Sequence, residues 1–317
     1  MRRTERVERD EAGRSDAALP AARPDAVAPA AVDRSAAERD EPGLLDAVLS
    51  DPGTRVMVVH GALAAHAAGD EPRLQSFAPA DVPAGAEWGF LGRAADGAAV
   101  VVAAFDPATP APLDAHGWAG PREIGAALDE HAADTLMVAI SLGRWLTDFG
   151  HCPLCGGRAV LRQAGWSRRC EDCGREHFPR NDPAVIVAIT DPARERILLG
   201  ANVNWRGRMH SCFAGFVEAG ESLETAIHRE LFEEAGVRVT DVRYVRSQPW
   251  PFPHSLMLGF EATAVDPDEA RPDGTEIISL KWFTRDEIAE ALAGRGEFGL
   301  PGRASIAYRL IREWHDE

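Results

Sequence analysis

The segment from Gly215 to Val237 constrains this chain more than any other stretch. Ser222 is a favourable helix N-cap and Gly236 a favourable C-terminal stop, so a helix is predicted over residues 222–235. At about 100° per residue, Glu230, Glu233 and Glu234 fall within roughly 100° of arc. Three carboxylates on one face repel one another unless a cation joins them. An all-oxygen donor set suits a hard divalent ion such as Mg²⁺ or Mn²⁺. Leu223, Ile227 and Leu231 lay an apolar stripe alongside, and the small Ala226, one turn earlier, leaves room for a substrate. A solvated acidic face is the plain alternative; it leaves the flanking glycines, Glu221 and Arg229 unexplained.

Bulk properties limit what such a helix can serve. At 317 residues the chain can bury two ordinary cores. Its formal charge is −16, and Lys281 is the one lysine among 34 basic side chains. No general field draws in duplex nucleic acid, so an anionic substrate needs a local device, metal ions or a few placed arginines. The charged N-terminus lacks the apolar core of a signal peptide, and the longest apolar run, residues 98–105, falls short of the ~20 residues that span a bilayer. A cytoplasmic protein with no membrane partner is expected.

Five cysteines include two pairs, Cys152-Pro-Leu-Cys155 and Cys170-Glu-Asp-Cys173, each followed by glycine, Gly156 and Gly174. A two-residue spacer aims both sulfurs at one point, and two such knuckles make a tetrahedron of thiolates, the closed geometry of one structural zinc ion. A metal site lost in this chain, or an iron centre, is the other reading of four sulfurs. His151 reads as a bystander and Cys212 as a small buried core residue.

Along the chain, residues 1–42 show no steady apolar period and are expected to be a disordered tail. Residues 43–132 read as a small mostly β domain, with strands over 55–60 and 98–105 and an Asp-Gly turn at Asp96-Gly97. Pro121 is a plausible helix start, and Leu128, Ala132, Leu136 and Ile140 recur every fourth residue up to Gly150, which gives a connecting helix over 133–150. Residues 151–180 hold the cysteines. Residues 181–317 alternate strands and helices, the pattern of an α/β sandwich.

The box Gly215, Glu221, Arg229, Glu230, Leu231, Glu233, Glu234, Gly236 and Val237 resembles the Nudix signature at every fixed position. Downstream, Ser247-Gln-Pro-Trp-Pro-Phe-Pro-His-Ser255 resembles the hallmark of the zinc-containing NADH pyrophosphatase (NudC-type) branch. The resemblance implies a Nudix α/β/α sandwich with a mixed sheet, preceded by a zinc ribbon and a small mostly β N-terminal domain. It implies that Glu230, Glu233 and Glu234 hold metal and deprotonate or orient the attacking water, and that Arg229 pairs with Glu221 to brace the loop. The Mg²⁺ or Mn²⁺ ligands it implies are the Ala214 carbonyl, Glu230, Glu234 and Glu276. The substrate side is implied at Gln248, Pro249, Trp250, Pro251, Phe252, Pro253, His254, Ser255 and Ala307. Phe178 stands where the family often has tyrosine, which keeps stacking and loses a hydroxyl.

The residues agree with that picture. Pro249, Pro251 and Pro253 exclude a regular helix or a central strand and stiffen the presentation of Trp250 and Phe252, whose rings can stack on a base or nicotinamide, while Gln248 and Ser255 offer hydrogen bonds. The expected reaction is hydrolysis of NAD(H) to nicotinamide mononucleotide and AMP, with 5′-NAD-capped RNA as a second substrate and a homodimer as the working form. ADP-ribose or a diadenosine polyphosphate is a competing substrate class. A non-catalytic zinc-ribbon module that binds RNA or protein is a competitor of another kind, and predicts eroded glutamates.

Overall fold

The computed structural model describes residues 32–67, 72–205 and 208–317. Residues 1–31 of the expected tail lie outside the described residues.

In the N-terminal part, β1 (Val32–Asp33), α1 (Leu44–Ser50), β2 (Arg55–His60), β3 (Leu63–Ala67), β4 (Arg73–Leu74), β5 (Ser76–Phe77), β6 (Glu87–Ala94), β7 (Ala99–Phe105) and β8 (Gly117–Ala119) follow in turn. The strands form one eight-stranded sheet, with β7 between β6 and β2. That central position explains the continuous apolar run, because both faces of β7 are buried. Val100, Val102 and Ala104 face one core, and Val101, Ala103 and Phe105 face the other.

Residues 32–42 correct the tail expectation. Val32 and Asp33 pair with Ala94 and Arg93, Glu38 forms an ion pair with Arg93, and the Arg39 guanidinium lies 3.9 Å from the Trp166 ring centroid. A polar segment gains order here from partners distant in sequence.

The helical connection is also divided. Pro121 does begin a helix, but α2 (Pro121–Ile124) is a single turn, and α3 (Glu130–Asp148) restarts earlier than residue 133 because the Asp129 side chain caps the Ala132 amide. Leu136, Ile140, Leu142 and Leu146 of α3 seal one face of the sheet.

The cysteine segment is a three-stranded ribbon of β9 (Ala159–Arg162), β10 (Ser167–Cys170) and β11 (Glu176–His177). It is docked onto the preceding part by Trp166, whose Nε1 donates to the Phe90 carbonyl at 2.6 Å, and by Arg168, whose Nη2 donates to the Leu146 carbonyl at 2.6 Å.

The C-terminal part contains β12 (Asp182–Thr190), β13 (Arg196–Asn202), β14 (Phe213–Phe216), α4 (Leu223–Ala235), β15 (Val239–Trp250), β16 (Ser255–Ala264), β17 (Ile277–Thr284), α5 (Arg285–Leu292) and α6 (Ile306–Asp316). The sheet order is β15-β16-β12-β13-β17, with β14 also on β12. It is mixed: β12 runs parallel to β16 and antiparallel to β13 and β14. Val185, Val187 and Ile189 bury against α4, while Ile186 and Ala188 bury against α5 and α6. This is the expected sandwich. Pro249 lies within β15, a strand at the sheet's edge, where a missing amide costs no ladder bond. No helix among the described residues is long and apolar enough to cross a membrane.

Candidate active site

The helix α4 is fixed at both ends by its own residues. The Ser222 side chain accepts from the Thr225 amide at 3.2 Å, and Gly236, at φ 65°, sends its amide to the Leu231 and Phe232 carbonyls. Ile227 and Leu231 are buried in the core, and so is Ala226, fully. The expectation that Ala226 leaves room for substrate is therefore wrong; its small size lets α4 approach the sheet.

Arg229 is the hub of the loop–helix junction. Its Nε and Nη2 clasp both oxygens of Glu221 at 2.7 and 2.8 Å, and Nη2 also reaches the Phe216 carbonyl at 3.0 Å. The guanidinium and the Glu218 amide bring the Glu221 carboxyl down to about 2. The same arginine holds Glu230 at 2.8 Å and Glu233 at 3.2 Å. Glu230 is largely buried, whereas the Glu233 side chain is 58% exposed at the helix rim.

Gly215, on β14, has no side chain because the Glu230 carboxylate occupies the space a Cβ would take. Ala214 lies one residue before it, opposite Ile186 of β12. The clash in Gly215→Ala would be with the end of a flexible side chain, so the expected result is displacement of Glu230 rather than unfolding. Turnover should fall about 10²-fold, with the melting temperature within 2–3 °C of wild type by roughly the scale of a surface change. A large melting shift with normal turnover would contradict this reading.

Glu234 points inward. It is 7% exposed, and its Oε2 is buried without a hydrogen-bond partner. Burial raises its pKa to about 8, with Glu276, Glu230, Asp273 and Glu233 adding their repulsion. Glu276 is held next to this group by Asp273, whose carboxylate accepts the amides of Thr275, Glu276 and Ile277 at 2.7–3.0 Å. Asn202 donates to Glu276 at 3.2 Å. Asp273 carried no signal in the sequence beyond its spacing from Glu276. A buried, unpartnered carboxylate oxygen among further carboxylates fits a divalent cation, the one species that satisfies the donors and cancels their repulsion. The four cysteines are nonetheless the one group among the described residues whose ligand atoms all lie within 4.8 Å of one another. The carboxylates are drawn partly onto Arg229 instead.

A cleft of about 380 Å³ lies between β15, β16 and the start of α6. Of the expected substrate residues it gathers Gln248, Trp250 and Ala307. Trp250 and Phe252 meet edge to face at 5.3 Å. The Arg122 guanidinium, from α2, lies 5.1 and 4.8 Å from their centroids. Arg122 was missed because nothing in its neighbourhood in sequence marks it.

Other expected residues are placed differently. Gln248 donates to the Ala304 carbonyl at 2.8 Å and accepts from the Ile306 amide at 2.7 Å, so its amide also anchors the start of α6. Pro249 faces the opposite side, toward α3. The Pro251 and Pro253 carbonyls accept from Arg144, His254 packs edge to face on Phe149 at 5.4 Å, and Ser255 is buried. Phe178 is 56% exposed at the end of the ribbon.

The four sulfurs converge as expected. Cys152 and Cys173 lie 3.7 Å apart, and Cys155 and Cys170 3.5 Å apart. Four thiolates at about 2.3 Å from zinc have edges of roughly 3.8 Å, so the set fits that ion. Gly156 and Gly174 have φ of 76° and 70°, the conformation that only glycine takes freely. His177 Nε2 sits 3.2 Å from Cys152 Sγ. Burial opposes ionisation of Cys152, but the Cys155 and Leu154 amides and His177 bring its pKa to about 6. His151 is exposed and Cys212 is buried, as expected.

Comparison with known proteins agrees with both centres. Residues 180–299 match the NUDIX domain and residues 148–178 the NADH pyrophosphatase zinc ribbon domain. The chain is 42% identical over 236 residues to the NAD-capped RNA hydrolase NudC of Mycobacterium bovis (strain BCG / Pasteur 1173P2), covering 71% of this chain and 74% of that protein. It is 38% identical over 197 residues to the human NAD-capped RNA hydrolase NUDT12, covering 59% of this chain and 42% of that protein. A NUDIX hydrolase crystal structure from Nitrosomonas europaea aligns with a TM-score of 0.36 and 25% identity, over 48% of this chain and 97% of that one. With the box intact, the ribbon complete and a relative matched over most of its length, the chain belongs to the Nudix hydrolases, in the zinc-ribbon NADH pyrophosphatase (NudC-type) family.

Proposed function

We propose that this enzyme hydrolyses the pyrophosphate bond of NAD(H), releasing nicotinamide mononucleotide and AMP, and removes NAD caps from RNA 5′ ends by the same chemistry. The observation that carries the reading is Glu234, a buried carboxylate with an unpartnered oxygen amid like charges. The substrate assignment is supported by the cleft lined by Trp250 between β15 and α6 and by relatives named NAD-capped RNA hydrolases.

Magnesium or manganese would be held by the Ala214 carbonyl, Glu230, Glu234 and Glu276. When bound, it neutralises the diphosphate and makes a coordinated water acidic. Glu230, Glu233 and Glu234 present carboxylate oxygens that orient the attacking water or take its proton. Arg229 and Glu221 keep the loop rigid under that charge. Trp250 and Phe252 stack on a flat ring of the dinucleotide, and Ala307 lets it approach α6. Pro249, Pro251, Pro253, His254 and Ser255 shape the loop, and Gln248 fixes it to α6. Phe178 is assigned to ring stacking from the ribbon. The chain is read as a tail, an N-terminal domain, a connecting helix, a zinc ribbon and a Nudix domain. A homodimer is read from the family resemblance, with the N-terminal domain as its candidate interface. The cytoplasm is supported by thiols suited to metal binding in a reducing compartment.

Incubation with NADH and with NAD-capped RNA in Mn²⁺ tests the assignment. AMP is expected from the first and 5′-monophosphate RNA from the second; absence of both sinks it. A clear preference for ADP-ribose in initial rates would replace the substrate while keeping the chemistry.

A further inference from the structure

We infer that Arg144, on the helix joining the N-terminal part to the ribbon, is a positioning residue for the dinucleotide, acting through the aromatic loop. The inference rests on the substrate reading above and adds a residue that neither signature contains.

The loop at residues 249–253 has a shortage of donors. Pro249, Pro251 and Pro253 carry no amide hydrogen; Pro251 is buried while Pro249 and Pro253 are exposed, so the Pro251 carbonyl above all needs a protein donor. Inside the loop, the Phe252 amide donates to the Trp250 carbonyl at 2.7 Å. The Pro251 and Pro253 carbonyls, on either side of Phe252, are both served by one atom, Arg144 Nη1, at 2.7 and 2.9 Å. These bonds cross 107 and 109 residues of sequence.

Arg144 is itself held. Its side chain is 23% exposed, and Nη2 lies 3.6 Å from the Asp148 carboxylate one turn on. On the same helix, Gly143 lies about 100° further around the axis, and a Cβ there would run into Val59 of the N-terminal sheet. The helix is thus pressed against the sheet at Gly143 and reaches the loop from the next residue. Nη1 carries two N–H groups, enough for one to each carbonyl, on a permanently charged guanidinium. The same loop carries Trp250 and Phe252, over which Arg122 lies. The N-terminal part therefore sets where the two rings stand, while the glutamates of α4 are fixed separately by the Nudix box.

This separation makes the effect specific. Arg144→Ala should raise KM for NADH about tenfold with kcat within twofold, because ring binding loosens and the carboxylate cluster stays in place. Arg144→Lys keeps a charged donor group on a flexible stem and should recover at least half of the loss on a logarithmic scale. Hydrogen exchange supplies a readout independent of any substrate: amides of the peptide covering residues 247–256 should exchange at least tenfold faster in Arg144→Ala, with those of residues 223–235 unchanged. Faster exchange with unaltered KM overturns the positioning role. Raised KM with unaltered exchange overturns the route through the loop. A fall in kcat with constant KM overturns it as well. If the wild type ignores NADH and cleaves ADP-ribose, the substrate reading fails on its own, and the same KM comparison on ADP-ribose decides the inference.

Discussion

Glu234→Gln is expected to lower turnover by at least about 10²-fold while making the protein more stable in the absence of added divalent cation. Glutamine keeps the shape and loses the charge, so the oxygen that lacks a partner no longer has to ionise. The pH dependence follows from the raised pKa of about 8 against an ordinary 4.5. Between those values the folded protein holds a proton that the unfolded chain has released. Stability from this group therefore falls as pH rises from about 4.5 to about 8, at no more than about 1.4 kcal/mol per pH unit. Melting curves of wild type and variant should nearly coincide at pH 4.5 and separate by pH 8, with the variant higher. Millimolar Mn²⁺ should close the gap by stabilising the wild type alone. Equal turnover in the two proteins would remove Glu234 from the catalytic set. A variant that melts lower at pH 8 would show that the carboxylate is satisfied in the native state by some partner other than a metal.

Removing zinc should have the largest effect on the fold. Structural zinc in small ribbons contributes an apparent binding free energy of about 10–16 kcal/mol near neutral pH, comparable to the whole stability of a domain. Here the ribbon is a joint, since Trp166 and Arg168 carry bonds from it to the N-terminal sheet and to α3. Cys173→Ser should reduce metal analysis from one zinc per chain to well below one, and should lower the melting temperature on the order of 10 °C. In the native protein the four ribbon thiols should resist a thiol reagent, and a strong chelator should release all four at once. Cys212, buried, should react only on global unfolding. A colourless protein with stoichiometric zinc excludes an iron centre, and a fully stable protein without any metal would refute the structural role.

The helix α4 could be read from residues alone because every determinant lies within it: the Ser222 cap, the Gly236 stop and an apolar stripe at helical spacing. The strands over 55–60 and 98–105 were equally legible, since apolar runs bounded by turn residues report directly on burial in a sheet. The ribbon was legible because Cys-x-x-Cys spacing and the following glycine are local geometry. Glu276 was reached through resemblance, and only the fold shows that an Asp273 turn delivers it to Glu234 across the end of α4.

What sequence misjudged depended on neighbours it could not name. Ala226 sits on the same helix face as the glutamates in an angular projection, yet the sheet beneath α4 takes it into the core. Gln248 offers no local sign that its amide also bonds the Ala304 carbonyl and the Ile306 amide at the start of α6. Residues 32–42 have the composition of a tail, but Arg93, Ala94 and Trp166 give them partners.

The sequence by itself thus determined which chemistry this protein carries, because a metal-binding helix and a thiolate cage are each written in a few dozen adjacent residues. Tertiary structure alone decided how the proline-rich loop is held, because its prolines bring no amide hydrogens and the Pro251 and Pro253 carbonyls take their donor from an arginine more than a hundred positions away.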